Sequence, residues 1–141
     1  MTEVAGAPGF TLDIRVYYED TDAGGVVYYA NYLKYFERAR TDWLRRLGIS
    51  QSALARDAQR LFVVRGLEIQ YRKPARLDDL LQVHSRIARL GRVSLVFEQQ
   101  AWRAGELLCE ARVEVCCVRA VALRPVAFPD TIKTLLEKAR D

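Results

Sequence analysis

The spacing of hydrophobic residues along this chain changes from a helical period to a strand period. Residues 31–47 carry apolar side chains three and four positions apart, which predicts a long amphipathic helix that ends at Gly48. From residue 61 onward, apolar residues alternate with polar ones, which predicts antiparallel strands with one buried face. The alternation is clearest in residues 67–71, 81–87, 93–97 and 107–117.

Shorter segments complete the predicted elements. Residues 10–18 alternate and contain β-forming residues, so they predict a first strand, and residues 51–58 predict a second short helix. Residues 129–131, Pro-Asp-Thr, open a final amphipathic helix. A long apolar helix and several antiparallel strands pack most simply as a sheet wrapped around the helix. We therefore expect one α+β domain over residues 1–141, with residues 1–9 as a flexible leader.

Composition narrows the classes of function. The 141 residues are 50% hydrophobic and 28% charged, which is typical of an ordinary globular protein. The net charge of +4 is spread along the chain without an aromatic-basic motif, so it argues against nucleic acid and suits a polyanionic ligand. No signal peptide is visible, and no uncharged stretch approaches the ~20 residues of a membrane span. We expect a cytoplasmic protein without a membrane span.

Cysteine and histidine indicate neither a metal site nor a nucleophilic triad. Cys109, Cys116 and Cys117 fit no metal-ligand spacing, and His84 is the single histidine. His84 alternates with polar neighbours on its predicted strand, so we expect it at the surface. We expect no metal and no cofactor.

Residues 15–32 carry the candidate chemistry. They run from the end of the first strand through Glu19, Asp20 and Asp22 to a Gly-Gly bend and the start of the long helix. A carboxylate at this place can act as a base or nucleophile, while free amides at the helix start face a developing oxyanion. An acidic helix cap has the same composition, and the pattern alone does not distinguish the three carboxylates.

This segment resembles the signature of the 4-hydroxybenzoyl-CoA thioesterase family of hot-dog-fold proteins, and within it the YbgC-type acyl-CoA thioesterases. The residues that fill the family pattern are Arg15, Val16, Thr21, Asp22, Gly25, Val26, Val27, Ala30, Asn31 and Tyr32. The likeness continues through residues 36–41 and 46–49 and reaches Arg124 and Pro125. It implies a hot-dog fold, in which an antiparallel sheet wraps a long central helix, and hydrolysis of an acyl-CoA thioester.

The resemblance also implies roles for individual residues. Asp22 occupies the slot of the family's catalytic aspartate, and the backbone N–H at Tyr29 addresses the thioester carbonyl. A thiolate leaves with little acid assistance, so a carboxylate and an oxyanion donor can suffice. The implied substrate-binding residues are Gly25, Val26, Arg92 and Arg124, with the two arginines at the phosphates of coenzyme A.

Two features leave alternatives open at the site. Tyr29 stands where YbgC-type proteins usually have His, while relatives closer to the family's namesake carry Tyr. A backbone donor survives that change, but the phenol can equally be a packing residue. Glu37 on the long helix is a rival carboxylate, because another branch of hot-dog enzymes uses one there; beside two arginines it also fits a structural ion pair.

The resemblance further implies a homodimer or homotetramer with sites between subunits, an association with acyl carrier protein and a link to the Tol-Pal envelope system. A non-catalytic scaffold that binds acyl-CoA or acyl carrier protein is the alternative function. A hot-dog dehydratase is a third, although its chemistry pairs an acid with a well-placed His. The sequence does not specify the acyl group.

Overall fold

The computed structural model describes residues 8–140 as one five-stranded antiparallel sheet and three α-helices. The strands are β1 (Phe10–Arg15), β2 (Arg60–Tyr71), β3 (Leu80–Leu90), β4 (Ser94–Arg103) and β5 (Glu106–Arg119). The helices are α1 (Asn31–Arg46), α2 (Gln51–Ala58) and α3 (Asp130–Arg140). Spatial strand order is β1-β3-β4-β5-β2, which places β1 and β2 at the two edges. The predicted α+β class is confirmed.

Helix α1 packs its apolar stripe on the inner face of the sheet. Its buried residues include Phe36 and Trp43, and the Trp43 ring meets Phe97 of β4 at 6.0 Å between ring centres. The fully buried Gln99 of β4 ties helix to sheet, because its Nε2 donates to the Phe36 carbonyl (2.9 Å). Arg40 of α1 in turn donates to Gln99 Oε1 (2.9 Å). These polar contacts fix where the helix lies along the sheet, which hydrophobic packing alone does not do.

The strand boundaries differ from the sequence pattern at two places. The predicted strand 10–18 ends at Arg15, because a 3₁₀ turn at Tyr18–Asp20 follows and the Tyr17 N–H donates to the Asp20 carboxylate (2.9 Å). Strand β2 begins well before the alternation at 67–71. A register shift between Val64 and Gly66 interrupts the alternation that would have revealed its first half.

His84 is buried, contrary to the expectation that it lies at the surface. This side chain is only 6% exposed, and its imidazole nitrogens pair with Thr11 Oγ1 and the Pro8 carbonyl, each at 2.9 Å. The prediction of a surface histidine was wrong because alternation tells which face a residue occupies, not whether another segment covers that face. Of the predicted leader, residues 1–7 lie outside the described part, while Pro8 and Gly9 lie against β3.

The two ends of the edge strand β2 mark opposite ends of the sheet, which are called the Arg60 end and the Tyr71 end. Its last residue, Tyr71, pairs with Cys109, and its first, Arg60, pairs with Arg119 at the far end of β5. Val64, Leu67 and Tyr71 are exposed although their β5 partners are buried core residues. Edge β2 therefore presents unpaired backbone groups together with an uncovered apolar face. None of the helices within residues 8–140 combines the length and apolar character that a bilayer crossing requires.

Candidate active site

A tight turn holds the candidate catalytic carboxylate. Thr21 and Val27 form an antiparallel bridge, and between them the Gly25 N–H donates to the Asp22 carbonyl (3.0 Å) and the Asp22 N–H to the Val26 carbonyl (2.9 Å). Gly25 adopts φ of 79°, which a side chain would disfavour. The two glycines thus let the chain reverse immediately after Asp22.

The Asp22 side chain is exposed, and its Oδ1 accepts a hydrogen bond from the Gly24 N–H (2.8 Å). A Cβ at position 24 would lie 3.2 Å from that oxygen, so glycine keeps the approach open. One carboxylate oxygen is therefore oriented by the turn. The second oxygen is the candidate atom for chemistry.

The other candidate carboxylates have different surroundings. Asp20 is buried and accepts from both the Tyr17 N–H (2.9 Å) and Asn31 Nδ2 (3.0 Å), so each of its oxygens is occupied. It braces the start of α1. Glu37 accepts a hydrogen bond from Thr41 one helical turn on. Glu19 is exposed beside Asp20.

Tyr29 lies just before α1, and a side chain of strand β2 holds its backbone in place. The Tyr71 hydroxyl donates to the Tyr29 carbonyl (2.9 Å), while the Tyr29 ring is 62% exposed. Within residues 8–140 the Tyr29 amide N–H has no hydrogen-bond acceptor. A free amide at the positive end of a 16-residue helix suits a developing oxyanion.

An apolar cavity of about 260 Å³ opens beside Tyr29. Its lining residues are Val27, Tyr29, Tyr32, Tyr71, Arg72, Lys73 and Pro74. The Tyr32 hydroxyl accepts from the Ala75 N–H (3.1 Å), so the wall between α1 and the β2–β3 loop is cross-braced. Val26 bridges to Arg76 in the same loop. Asp22 does not line this cavity within one chain.

The two arginines predicted at the nucleotide lie away from Asp22. The Phe128 N–H donates to the Arg92 carbonyl and the Arg119 N–H to the Arg124 carbonyl, each at 3.0 Å, so both arginines lie at the Arg60 end of the sheet. Asp22 and Tyr29 lie at the Tyr71 end. The 12 residues of β2 separate these ends, which is roughly 35 Å at the usual rise per residue. A single chain does not bring the two groups together.

The cysteines are core residues. All three are buried and unpaired, and burial raises the pKa of the Cys109 thiol to about 12, so it stays protonated. No cluster of three or more His, Cys, Asp or Glu arranged for a metal ion occurs in the described part of the chain.

Sequence reasoning missed two supports of the site. Tyr71 was predicted only as an alternating strand residue, and its hydroxyl contact with Tyr29 crosses 42 positions of sequence. Asp20 was grouped with the other acidic residues, and it ends a 3₁₀ turn while Asn31 begins α1, so no single periodic element spans the pair.

Comparison with known proteins connects this geometry to a family. The profile of the thioesterase superfamily matches residues 24–110, a range that includes Tyr29 and Arg92 but begins just after Asp22. The chain is 48% identical over 125 residues to the acyl-CoA thioesterase YbgC of Haemophilus influenzae, covering 89% of this chain and 92% of that protein. It is 49% identical to the acyl-CoA thioester hydrolase YbgC of Escherichia coli over 87% of this chain and 92% of the relative. A crystal structure of a probable thioesterase from Bartonella henselae superposes with a TM-score of 0.82 at 36% identity, covering 86% and 99% of the two chains. The predicted hot-dog thioesterase fold is confirmed.

Proposed function

The chain belongs to the thioesterase superfamily, and from that premise we propose that it hydrolyses acyl-CoA thioesters to a free acid and coenzyme A. The observation that carries the proposal is near-50% identity, over most of the chain, to proteins named as acyl-CoA thioesterases. The carboxylate turn and the free amide before α1 supply the two groups that such a hydrolysis needs.

Asp22 and the Tyr29 amide divide the chemistry between them. The free Asp22 oxygen either removes a proton from a water that attacks the thioester carbonyl or attacks that carbonyl itself. In both routes the carbonyl oxygen gains negative charge facing the Tyr29 N–H, and the C–S bond breaks to release the thiolate. In the second route water then hydrolyses the anhydride formed with Asp22, which releases the free acid and restores the carboxylate. The cavity beside Tyr29 and Tyr71 accommodates part of the acyl group, with Gly25 and Val26 along its approach.

A homodimer formed through β2 supports this site. Edge β2 offers free backbone groups and the exposed apolar residues Val64, Leu67 and Tyr71. Antiparallel pairing of β2 with a second copy across a two-fold axis perpendicular to the sheet satisfies those groups and covers that face. It also keeps both inner faces, and both α1 helices, on the same side.

The same pairing supports a shared coenzyme A site. Because antiparallel pairing reverses the second strand, the Arg60 end of one subunit lies beside the Tyr71 end of the other. Arg92 and Arg124 of one subunit then come near Asp22 and Tyr29 of its neighbour. The two-fold axis thus brings together the arginines and the acidic turn, which lie far apart within a single chain.

Incubation of the purified protein with a panel of acyl-CoA thioesters and a thiol-reactive dye tests the proposal. Release of thiol with a measurable kcat/KM is the expected result. Binding of acyl-CoA without thiol release would point instead to the scaffold function, and hydrated or dehydrated acyl products would point to a dehydratase. The cytoplasmic location, the acyl carrier protein partner and the Tol-Pal link stay predictions from the resemblance.

A further inference from the structure

The loop between β5 and α3 presents aliphatic side chains to solvent. Val121 is 95% exposed and Leu123 is 59% exposed, while β5 just before them is buried. A lone exposed aliphatic residue is unremarkable on a protein surface, but two at the tip of one short loop form a small apolar knob. We call residues 121–123 the apolar tip.

The backbone of the apolar tip is strained and firmly held. Leu123 has φ of 55°, a left-handed conformation that is unfavourable for a bulky residue. Its N–H donates to the Arg119 carbonyl (2.9 Å), and the loop is closed by the bridge between Val118 and Pro125. Backbone strain of this kind persists where the surrounding structure holds it, and it is concentrated at functional segments such as ligand clamps.

Basic residues surround the tip. Arg119 and Arg124 flank it in the sequence, and Arg92 lies on the neighbouring turn, where the Phe128 N–H donates to its carbonyl. An apolar surface between guanidinium groups matches a ligand with a flat, weakly polar ring and several phosphates. The adenosine end of coenzyme A has that chemistry.

The symmetry of the proposed dimer determines which subunit's active site lies near the apolar tip. Within its own subunit the tip lies at the Arg60 end, away from Asp22 and Tyr29. In the β2-paired dimer, β5 lies two strand spacings from the neighbour's Tyr71, because β2 lies between them. At about 4.8 Å per spacing this is roughly 10 Å across the sheet.

We propose that the apolar tip of one subunit packs against the adenosine of the acyl-CoA bound at the neighbouring subunit's active site. This rests on the proposed function and names residues of that same site. Val121 and Leu123 supply apolar contact, and the surrounding arginines supply charge. The tip takes no part in breaking the thioester.

Two substitutions and three substrates test the contact. Val121→Ser and Leu123→Asn remove apolar surface, and Asn tolerates the left-handed conformation, so the loop should keep its shape. Each should raise KM for acyl-CoA about fivefold and leave kcat unchanged, because the contact is equal in ground and transition states. KM for the matching acyl-phosphopantetheine and acyl-N-acetylcysteamine should not change, since neither carries adenosine. Ala120→Ser, in the same loop but outside the apolar tip, is the control and should behave as wild type.

A mixed dimer tests the action across subunits. Asp22→Asn chains are combined in excess with Leu123→Asn chains, so that most Leu123→Asn chains have an Asp22→Asn partner. If the tip serves the neighbouring site, one site in each mixed dimer is intact and KM for acyl-CoA returns to the wild-type value. If the tip serves its own subunit, KM stays raised.

Three results would overturn the inference. These are an unchanged KM for acyl-CoA in both variants, equal damage toward all three thioesters, and a raised KM that persists in the mixed dimers. A wild-type protein that hydrolyses none of the thioesters would overturn the proposed function itself, which separates the two failures.

Discussion

At the scale of single residues, the carboxylates of the acidic turn differ in burial and in hydrogen bonding. Asp20 has both oxygens bound and lies buried, whereas Asp22 is exposed with one oxygen oriented by Gly24. The first arrangement stabilises the fold, and the second leaves an oxygen for chemistry. Two substitutions in this turn should therefore have opposite kinds of effect.

Asp22→Asn should lower kcat for acyl-CoA hydrolysis by about 10²–10⁴-fold, because the amide can neither accept a proton nor attack a carbonyl. Asn keeps an oxygen for the Gly24 N–H, so the melting temperature should stay near that of the wild type. Glu19→Gln, an exposed neighbour, is the matched control and should retain activity. A variant with near-normal kcat would redirect attention to Glu37.

Tyr71→Phe should lower kcat more than Tyr29→Phe does. The first removes the hydrogen bond that holds the Tyr29 carbonyl and thus the peptide before α1, while keeping the ring. The second removes only an exposed phenol and leaves the backbone donor. Steady-state kinetics on one acyl-CoA with both variants checks the order. The reverse order, with intact folding, would assign the chemistry to the Tyr29 phenol.

The sequence alone could propose Asp22 and Tyr29 as site residues only through their match to a family pattern. No periodic signal separates Asp20 from Asp22, since both stand in a turn where side-chain direction depends on individual hydrogen bonds. The hydrogen bond from Tyr71 to Tyr29 could not be predicted from the sequence for another reason. It joins a strand to a loop, and its existence depends on where β2 ends relative to α1.

At the scale of elements, periodicity predicted the apolar face of each helix and strand. It did not predict which other segments cover the opposite, polar face. The apolar stripe of α1 and the alternation in β3 and β5 correspond to buried faces in the structure. The bulge near Gly66 obscured half of β2 because one extra residue reverses the alternation. His84 was misplaced because alternation within β3 does not reveal that Pro8 and Thr11 cover its polar face.

The contact between β1 and β3 should make stability depend on pH through His84. Burial, with a further contribution from the nearby Arg86 charge, lowers the pKa of His84 below its ordinary value, although the Pro8 carbonyl partly offsets this. The unfolded chain therefore binds a proton at higher pH than the folded one. The free energy of unfolding should fall as pH drops through about 6.5 and level off below the folded pKa.

Urea unfolding of wild type and His84→Gln between pH 8 and pH 5 measures this effect. The difference between the two free energies of unfolding should change across the range, since Gln does not titrate there. A difference that stays constant with pH would mean that His84 is not protonated on unfolding in this range.

At the scale of the whole molecule, the candidate site is divided within a single chain. Its acidic turn and its candidate phosphate ligands lie at opposite ends of the sheet, and its edge strand exposes apolar residues. The proposed two-fold axis through β2 would account for both features. Assembly and catalysis should therefore fail together.

Leu67→Asp should convert the dimer to a monomer and remove most activity. It places a charge on the uncovered inner face of β2, where a second copy would bury it at high cost. Gln70→Asp adds the same charge on the outer face of the same strand and is the control. Sedimentation velocity reports the oligomeric state, and circular dichroism checks the fold. A dimeric Leu67→Asp variant would argue against pairing through β2.

Arg92→Ala and Arg124→Ala should each raise KM for acyl-CoA far more than they lower kcat. If these arginines bind the nucleotide phosphates across the dimer interface, their loss weakens ground and transition states equally. Hydrolysis of the matching acyl-N-acetylcysteamine should be unaffected, because it has no phosphates. Rising salt should reduce the wild-type preference for acyl-CoA, since exposed charge contacts are screened.

Arg112→Ala is the control for this series, because that guanidinium pairs with Glu98 on the outer face of the sheet. It removes the same charge from the protein without touching the Arg60 end. Its KM for acyl-CoA should therefore stay at the wild-type value. Equal damage toward both substrate types in the Arg92 and Arg124 variants would mean that these residues support the fold or the subunit contact. Damage confined to acyl-CoA, together with a dimer that survives, is what a phosphate site shared between two chains requires.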